Sequence, residues 1–301
     1  MKQQRFFWVA VIMINCFFAG TGPAVTQKAF ALQYSIESVL CSRFLIAACC
    51  IWLYVLISAA DVRVTKRELL YALGIGVFFT VGAVFMNESY RYLPGAISSI
   101  LVFLYIVIVN VFEIVRKTVS KTPMRYFCLA LSMAGLAMVV WKPGEGLQFN
   151  AFGVLLALGA GLMYAFHALA MGSKVLENIS AIAITAYAAI PTAVFSLLRC
   201  LAANQPILPA AVPAQWVCVL FLGIGTSFAG PICYCLGIKR LGVSDASITN
   251  TGEPVFAYFA GIAIMGDIIS ANALFGGILI VCSILLLNLI GRGRQCDTVC
   301  V

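Results

Sequence analysis

A glutamate directly before a proline stands inside a long apolar run, in the stretch TNTGEPVFAYF. Glu253 is the only charged residue between Asp245 and Asp267. If this run crosses a bilayer, a carboxylate near its centre costs at least about 2.5 kcal/mol, so such residues face a bundle interior and often mark a substrate or proton path. Pro254 has no N–H and removes the hydrogen-bond partner of a carbonyl near Asn250. The stretch therefore predicts a polar site within an interrupted helix.

Glu253, Asn250 and Thr251 are the first candidates for binding a substrate, with Glu253 also able to carry a proton. Two other roles fit the same pattern. The carboxylate could accept hydrogen bonds from the backbone, or it could pair with Arg43, which lies eight residues into another apolar run. Arg43 is itself a candidate for binding an anionic group, although a structural salt bridge suits it as well.

Four more polar side chains in apolar runs are candidate substrate-binding residues: Asn15, Tyr105, Tyr164 and His167. Tyr164 and His167 are one helical turn apart and would share a face. His167 is the only histidine, and imidazole titrates near neutral pH, so it could assist proton coupling. A simple hydrogen bond to a neighbouring helix is the alternative for His167. Ordinary packing is the alternative for Tyr105.

The composition places these residues in a membrane protein. The 301 residues are 63% hydrophobic and 10% charged, with a mean hydropathy of +1.04, whereas soluble domains carry about 25% charged residues. Many apolar runs have about 20 residues, which suffices to cross a core of roughly 30 Å as a helix. The runs lack the alternation of polar and apolar residues that a membrane β-barrel would need. The sequence predicts an all-α membrane protein.

Ten membrane spans are predicted, with short connections. Their residue ranges are 6–26, 36–58, 68–87, 93–114, 123–141, 150–171, 181–200, 214–238, 244–265 and 270–291. With the N-terminus in the cytoplasm, cytoplasmic segments hold 14 Lys and Arg residues and outer segments hold 4. The positive-inside rule therefore predicts that both termini are cytoplasmic in a multi-pass protein of a bacterial inner membrane. The formal charge of +8 follows from this bias and indicates no nucleic-acid partner.

The ten spans divide into two sets of five, which predicts two repeats at residues 1–146 and 147–301. An odd number of spans inverts the second repeat relative to the first, as in many secondary transporters whose substrate site lies between the repeats. An offset of 148 residues aligns Tyr105 with Glu253. We therefore expect Tyr105 and Glu253 at equivalent depths in the fourth and ninth spans.

The second half resembles the EamA-type repeat of the drug/metabolite transporter superfamily. The resemblance rests on Glu253-Pro254, on Asp267 and on Gly276-Gly277. The first half departs from that pattern, with Ile106 where proline is common and Val119 where an acidic residue is common. The resemblance covers the chain as two repeats. It implies a ten-helix secondary transporter of small metabolites, with export as the commoner direction.

Other functions have less support in the sequence. There is no GxxxxGK[ST] run for a nucleotide and no histidine cluster, and the close pair Cys233 and Cys235 has no histidine beside it. We expect no cofactor, no metal and no enzyme activity. The predicted function is alternating-access transport of an amino-acid-like or drug-like metabolite, exported and coupled to protons, with membrane lipid as surroundings. The alternatives are an integral membrane enzyme acting on lipid-linked substrates and a non-transporting sensor or subunit.

Overall fold

The computed structural model describes residues 2–89, 92–93, 101–116, 122–140, 150–209, 212–266 and 271–290. Every regular element within these ranges is helical. The α-helices are α1 (Lys2–Ala31), α2 (Ile36–Ser58), α3 (Lys66–Ser89), α4 (Tyr105–Val115), α5 (Pro123–Val140), α6 (Ala151–Met171), α7 (Ala181–Ala202), α8 (Pro213–Leu220), α9 (Gly230–Leu241), α10 (Val243–Thr249), α11 (Glu253–Ala260) and α12 (Ala271–Ile290). Two π-helical segments (Phe221–Ala229 and Gly261–Met265) and two 3₁₀ turns (Lys174–Leu176 and Asn250–Gly252) connect or interrupt them.

Six helical stretches in the described residues are long and apolar enough to cross a membrane. They are α1, α2, α3, α6, α7 and the continuous run from α8 to α9, so six of the predicted spans are confirmed. Three shorter apolar helices lie in the predicted fourth, fifth and tenth spans. The ninth predicted span, 244–265, is divided into α10, a 3₁₀ turn, α11 and a π-helical segment. The count of ten membrane-spanning helices stays a prediction.

Side-chain caps fix where several helices begin. The Ser35 side chain accepts a hydrogen bond from the Ser38 N–H at the start of α2, and Ser180 does the same for Ala183 at the start of α7. Asn150 caps α6 in the same way. An N–H group that donates to a capping side chain does not require water as its hydrogen-bond partner, so the helix can begin at the edge of an apolar medium.

Each described helix of the first half packs against helices of the second half. Helix α1 contacts α9 and α11, and α2 contacts α7 and the π-helical segment 221–229. Helix α3 contacts α6 and α7, α4 contacts α6 and α10, and α5 contacts α12. The main buried core accordingly contains Ile12 and Ile106 from the first half and Ile184 and Ile248 from the second. The predicted repeats 1–146 and 147–301 are therefore interleaved.

Two glycines allow unusually close backbone approach between the halves. A Cβ atom at Gly20 of α1 would lie 2.4 Å from the backbone oxygen of Glu253, and one at Gly76 of α3 would lie 2.1 Å from that of Ala188 in α7. Both distances are too short for any other side chain. Small residues at such crossings are how membrane helices pack tightly.

Candidate functional site

The ninth predicted span is interrupted where the sequence has Glu253-Pro254. Helix α10 ends at Thr249, a 3₁₀ turn follows, and α11 begins at Glu253. Pro254 cannot donate to the carbonyl of Asn250, four residues earlier, so the α-helical pattern cannot continue through this point. The predicted interruption is therefore present, and it turns several polar groups into the core.

The Asn250 side chain joins three other candidate residues. Its amide nitrogen donates to the Tyr105 hydroxyl at 3.1 Å and to a carboxylate oxygen of Glu253 at 3.2 Å. Its oxygen accepts a hydrogen bond of 2.8 Å from the Asn15 amide. Asn15, Tyr105 and Asn250 are buried and Glu253 is half-buried. We call these four residues the Asn250 cluster.

Tyr105 and Glu253 occupy matching positions in this cluster. Each is the first residue of its helix, α4 and α11 respectively, and the two are 148 positions apart in the chain. A turn at Leu104 precedes Tyr105, just as the 3₁₀ turn precedes Glu253. Both side chains accept a hydrogen bond from the same Asn250 amide. The pair that the sequence alignment relates is thus brought into one hydrogen-bond network.

Two neighbours of the Asn250 cluster were not candidates from the sequence. The Cys16 sulfur lies 3.6 Å from the Asn250 side-chain oxygen and 3.7 Å from the Thr249 carbonyl. The Tyr234 hydroxyl is buried next to the Tyr105 hydroxyl and makes no hydrogen bond of normal geometry to a described residue. Cys16 could have been proposed as a neighbour of the cluster because it follows Asn15 in the sequence. No sequence feature indicated Tyr234.

Thr251 does not join the cluster. Its hydroxyl donates to the Ile248 carbonyl of its own chain segment at 2.7 Å, and the residue is fully buried. A threonine hydroxyl can satisfy itself in this way on a helix. Thr251 therefore stabilises the turn beside Asn250, and its predicted contact with substrate stays untested.

Arg43 does not pair with Glu253. Its Nε donates to the Ser227 hydroxyl at 3.0 Å, and its guanidinium lies 4.7 Å from the centre of the Phe44 ring. The hypothesis of an ion pair between Arg43 and Glu253 is wrong for this structure, because α2 directs Arg43 toward the π-helical segment that carries Ser227. Ser227 was not among the candidates from the sequence.

A cavity of about 80 Å³ is lined by Ser227, the hydrogen-bond partner of Arg43, and by Phe44, the next residue along α2. We call it the Arg43 cavity, although Arg43 itself is not part of its wall. Its wall contains the aromatic rings of Phe44 and Phe79, the imidazole of His167 and the hydroxyl of Ser227. Further lining residues are Ala47, Ile51, Gly76, Met171, Thr185, Ala188, Ala189, Thr192, Thr226 and Pro231. The volume exceeds what a water molecule needs but falls short of the roughly 300–1,000 Å³ of a pocket for a drug-sized ligand.

Tyr164 and His167 share a face of α6, as predicted. The Phe79 ring centre lies 5.9 Å from that of Tyr164 and 5.4 Å from that of His167. The Nδ1 atom of His167 is 3.0 Å from the Ile75 carbonyl of α3. His167 thus has the interhelical hydrogen bond that was its alternative role, and it also borders the Arg43 cavity.

Comparisons with known proteins agree with this arrangement. The profile of the EamA-like transporter family matches residues 6–141 and, a second time, residues 151–289. The chain belongs to the EamA-like transporter family. Two matched segments confirm the resemblance inferred from Glu253-Pro254, although Asp267, part of the same pattern, lies outside the described residues. This EamA-like chain is therefore a multi-pass membrane protein of a transporter family.

A solved structure shares the fold of this EamA-like chain. It is described only as a crystal structure of a protein, and it superposes with a TM-score of 0.75 at 18% sequence identity. The match covers 94% of this chain and 98% of the other, so the likeness concerns the whole fold. No curated protein matches the sequence.

Proposed function

We propose that this EamA-like protein is a secondary transporter that carries a small organic metabolite across a bacterial inner membrane by alternating access. The path runs through the Asn250 cluster and the Arg43 cavity. Membership of a transporter family implies a small-molecule cargo and a lipid environment. The chemistry of the two sites supports the finer statements about cargo, energy source and direction that follow.

The packing of the helices supports two inverted repeats of five spans. Number the spans so that α8–α9 is the eighth, α10–α11 the ninth and α12 the tenth. Three pairs of contacts correspond when spans 1–5 are exchanged with spans 6–10. Contact 3–6 corresponds to 1–8, contact 3–7 corresponds to 2–8, and contact 4–6 corresponds to 1–9. Each of these contacts has its mate when the two halves are exchanged, and the pairs 2–7, 4–9 and 5–10 are their own mates. Such exchange is what a pseudo-twofold axis produces. Smaller contacts, such as 7–8 and 5–9, have no counterpart of similar extent among the described residues.

The shared hydrogen bonds of Asn250 carry the proposal. Tyr105 and Glu253 are the aligned positions of the two repeats, and one amide bonds both. A site between repeats can be exposed to either side when one repeat rocks against the other. Glu253 would then face one solution and the other in turn, as a coupling or binding carboxylate must.

The proposed cargo is amino-acid-like or drug-like, with an apolar body and at least one charged group. The Arg43 guanidinium, which bonds the Ser227 hydroxyl of the cavity wall, suits a carboxylate of the cargo. Phe44 and Phe79 supply an apolar wall between hydroxyl groups. The Tyr234 hydroxyl, which makes no hydrogen bond of normal geometry to a described residue, offers a further hydrogen bond to a ligand near Tyr105. At about 80 Å³ the Arg43 cavity is smaller than such a cargo, so the cavity must widen when the cargo binds.

We propose protons as the coupling ion and export as the direction. Glu253 forms no ion pair with any described residue, and a single neutral amide is its hydrogen-bond donor. A carboxylate without a fixed cation can gain and lose a proton during the cycle more readily than one held in a salt bridge. Export is the direction that the family resemblance favours, and the Lys and Arg bias predicts that both termini are in the cytoplasm.

Purified protein in liposomes tests the proposal. Candidate metabolites are first ranked by their thermal stabilisation of the protein, and the best are then tested for uptake under an imposed proton gradient. We expect gradient-driven accumulation by the wild type and its loss in Arg43→Gln. The matched control is Arg199→Gln, which removes a half-exposed arginine 3.6 Å from Glu37 and should leave uptake unchanged. Binding without uptake would indicate a sensor, and conversion of the metabolite would indicate an enzyme.

A further inference from the structure

A buried group of three charged residues lies at the end of the bundle where α1, α5 and α10 begin. One carboxylate oxygen of Asp245 is 2.6 Å from a guanidinium nitrogen of Arg5, and the other is 2.6 Å from one of Arg125. The side chains of Arg5, Arg125 and Asp245 are 21%, 7% and 10% exposed. Nothing in the sequence pattern predicts that Asp245 is buried between two arginines.

A polar chain connects the Asp245 carboxylate environment to helix α4. Arg125 donates to the Ser244 hydroxyl, and that hydroxyl donates to the side-chain oxygen of Asn110. The Asn110 amide donates to the Ile106 carbonyl at 2.8 Å and lies 3.5 Å from the Ser247 hydroxyl. Residues of four helices, α1, α4, α5 and α10, therefore meet at Asp245 and its neighbour. Three of these helices belong to the first repeat and one to the second.

Helix α10 links this group directly to the Asn250 cluster. Asp245 and Asn250 are five residues apart, which corresponds to about 7.5 Å along a helix. The Thr249 hydroxyl donates to the Asp245 carbonyl at 2.8 Å. A displacement of Asp245 at one end of so short a helix must move Asn250 at the other.

Both ends of α10 are suited to act as hinges. Gly242, immediately before the helix, has φ of +86°, a conformation that glycine adopts readily. The 3₁₀ turn at Asn250–Gly252 and Pro254 follow the helix. The seven residues of α10 can therefore pivot as a unit without breaking an α-helical hydrogen-bond ladder on either side.

We propose that Arg5, Arg125 and Asp245 form an ionic latch that closes the N-terminal end of the transport path. The latch must separate before the Asn250 cluster becomes accessible from that side. This inference rests on the proposed alternating-access function and adds the device that closes one end. Because Asp245 is bonded to both arginines, its release frees α10 from α1 and α5 together.

Hydrogen bonding in the latch suits a reversible closure. The Arg125 Nε has no hydrogen-bond partner among the described residues. An unsatisfied buried donor raises the free energy of the closed arrangement. The opposite end of the bundle has the longer, half-exposed contact between Arg199 and Glu37, which screening weakens. The Asp245 end is thus the more firmly closed of the two.

Accessibility of Cys16 tests the latch without any cargo. Cys16 is fully buried against Asn250, so a variant that keeps Cys16 and has its other cysteines replaced reports exposure of the cluster. A membrane-impermeant maleimide is added to vesicles from the N-terminal side or from the opposite side. Asp245→Asn should raise the labelling rate from the N-terminal side by roughly tenfold or more, since losing one member of a buried ion pair favours the open state. Glu37→Gln is the matched control and should leave that rate unchanged.

Arg5→Gln provides a second variant if Asp245→Asn does not fold, because it keeps the pair between Asp245 and Arg125. We expect a smaller increase, about threefold, from the same side. Labelling at the wild-type rate in a folded variant, or an equal increase from both sides, overturns the latch, since general loosening has no sidedness. Increased one-sided labelling without transport of any metabolite would keep the latch and refute the transport function. Transport with unchanged labelling in the variants would do the reverse.

Discussion

The Asn250 cluster and the Arg43 cavity each contain a residue four positions before a proline. The two sites differ in that Asn250 is held in a hydrogen-bond network, whereas Ser227 borders a cavity. Pro254 leaves the carbonyl of Asn250 without its helical partner, and Pro231 does the same for Ser227. Asn250 uses its side chain to bond three others. Ser227 accepts one hydrogen bond from Arg43 and lines an open cavity.

The difference indicates that the Asn250 cluster connects the two repeats, whereas the Arg43 cavity binds the ligand. The Asn250 cluster draws its bonds from α1, α4 and the interrupted ninth span, so any relative motion of the repeats must stretch or exchange them. The Arg43 cavity lies between α2, α3, α6, α7 and the π-helical segment, and its walls are rings, hydroxyls and small residues. We therefore expect substitutions in the cluster to affect stability and motion, and those in the cavity wall to affect ligand binding.

The largest predicted effect comes from removing the centre of the cluster. Asn250→Ala should lower the free energy of unfolding by about 3 kcal/mol, because three side-chain hydrogen bonds, two of them to other helices, are lost at about 1 kcal/mol each. Thr251→Val is the matched control one position away, since it loses a bond within its own segment. Thermal unfolding of both variants in the same detergent measures the difference. Equal losses of unfolding free energy in the two variants would show that the hydrogen bonds of Asn250 to other helices do not connect the repeats.

A smaller effect is predicted for crowding the wall of the cavity. Gly76→Ala places a methyl group against the Ala188 backbone and should cost about 2 kcal/mol, as overpacking does. It should also abolish the thermal stabilisation given by ligands, because Gly76 and Ala188 both line the cavity. Gly74→Ala, on the same helix with no atom within 4 Å, should be neutral or stabilising. A Gly76→Ala protein that keeps its ligand-induced stabilisation would place the binding site elsewhere.

The smallest predicted effect separates two tyrosines at the edge of the cluster. Tyr105→Phe should lower stability by about 1 kcal/mol because the Asn250 amide loses an acceptor. Tyr234→Phe should not lower it, because the Tyr234 hydroxyl makes no hydrogen bond of normal geometry to a described residue. Ligand affinity is expected to fall in Tyr234→Phe if that hydroxyl bonds cargo. Paired unfolding and binding titrations measure both quantities, and a larger stability loss for Tyr234→Phe would reverse the assignment.

The sequence predicted those parts of the site that depend on local chemistry. Glu253 before Pro254 indicated an interrupted helix, and the 148-residue offset related Tyr105 to Glu253; both features are present at the starts of α4 and α11. Asn15 could be selected because an amide in an apolar run needs a partner. Membership of the EamA-like family was predicted from the same residues and is confirmed over two segments.

Partners that come from distant helices could not be predicted. An ion pair between Arg43 and Glu253 was one prediction because both residues are charged and lie in predicted spans. The helix packing instead brings Ser227 to Arg43. The burial of Asp245 between two arginines could not be predicted either, because it follows only from the meeting of α1, α5 and α10. Ser227 did carry a local signal, since it precedes Pro231 by four residues as Asn250 precedes Pro254.

The most direct test of the account replaces the carboxylate of the cluster. Glu253→Gln keeps the shape and an acceptor for the Asn250 amide but cannot ionise. In liposomes loaded with the metabolite that stabilises the protein, we predict that the variant binds and exchanges this metabolite at close to the wild-type rate. We also predict that it no longer accumulates the metabolite when a proton gradient is imposed. A well-folded Glu253→Gln protein that accumulates its cargo at the wild-type rate across the pH range would contradict the account and leave Glu253 a structural acceptor.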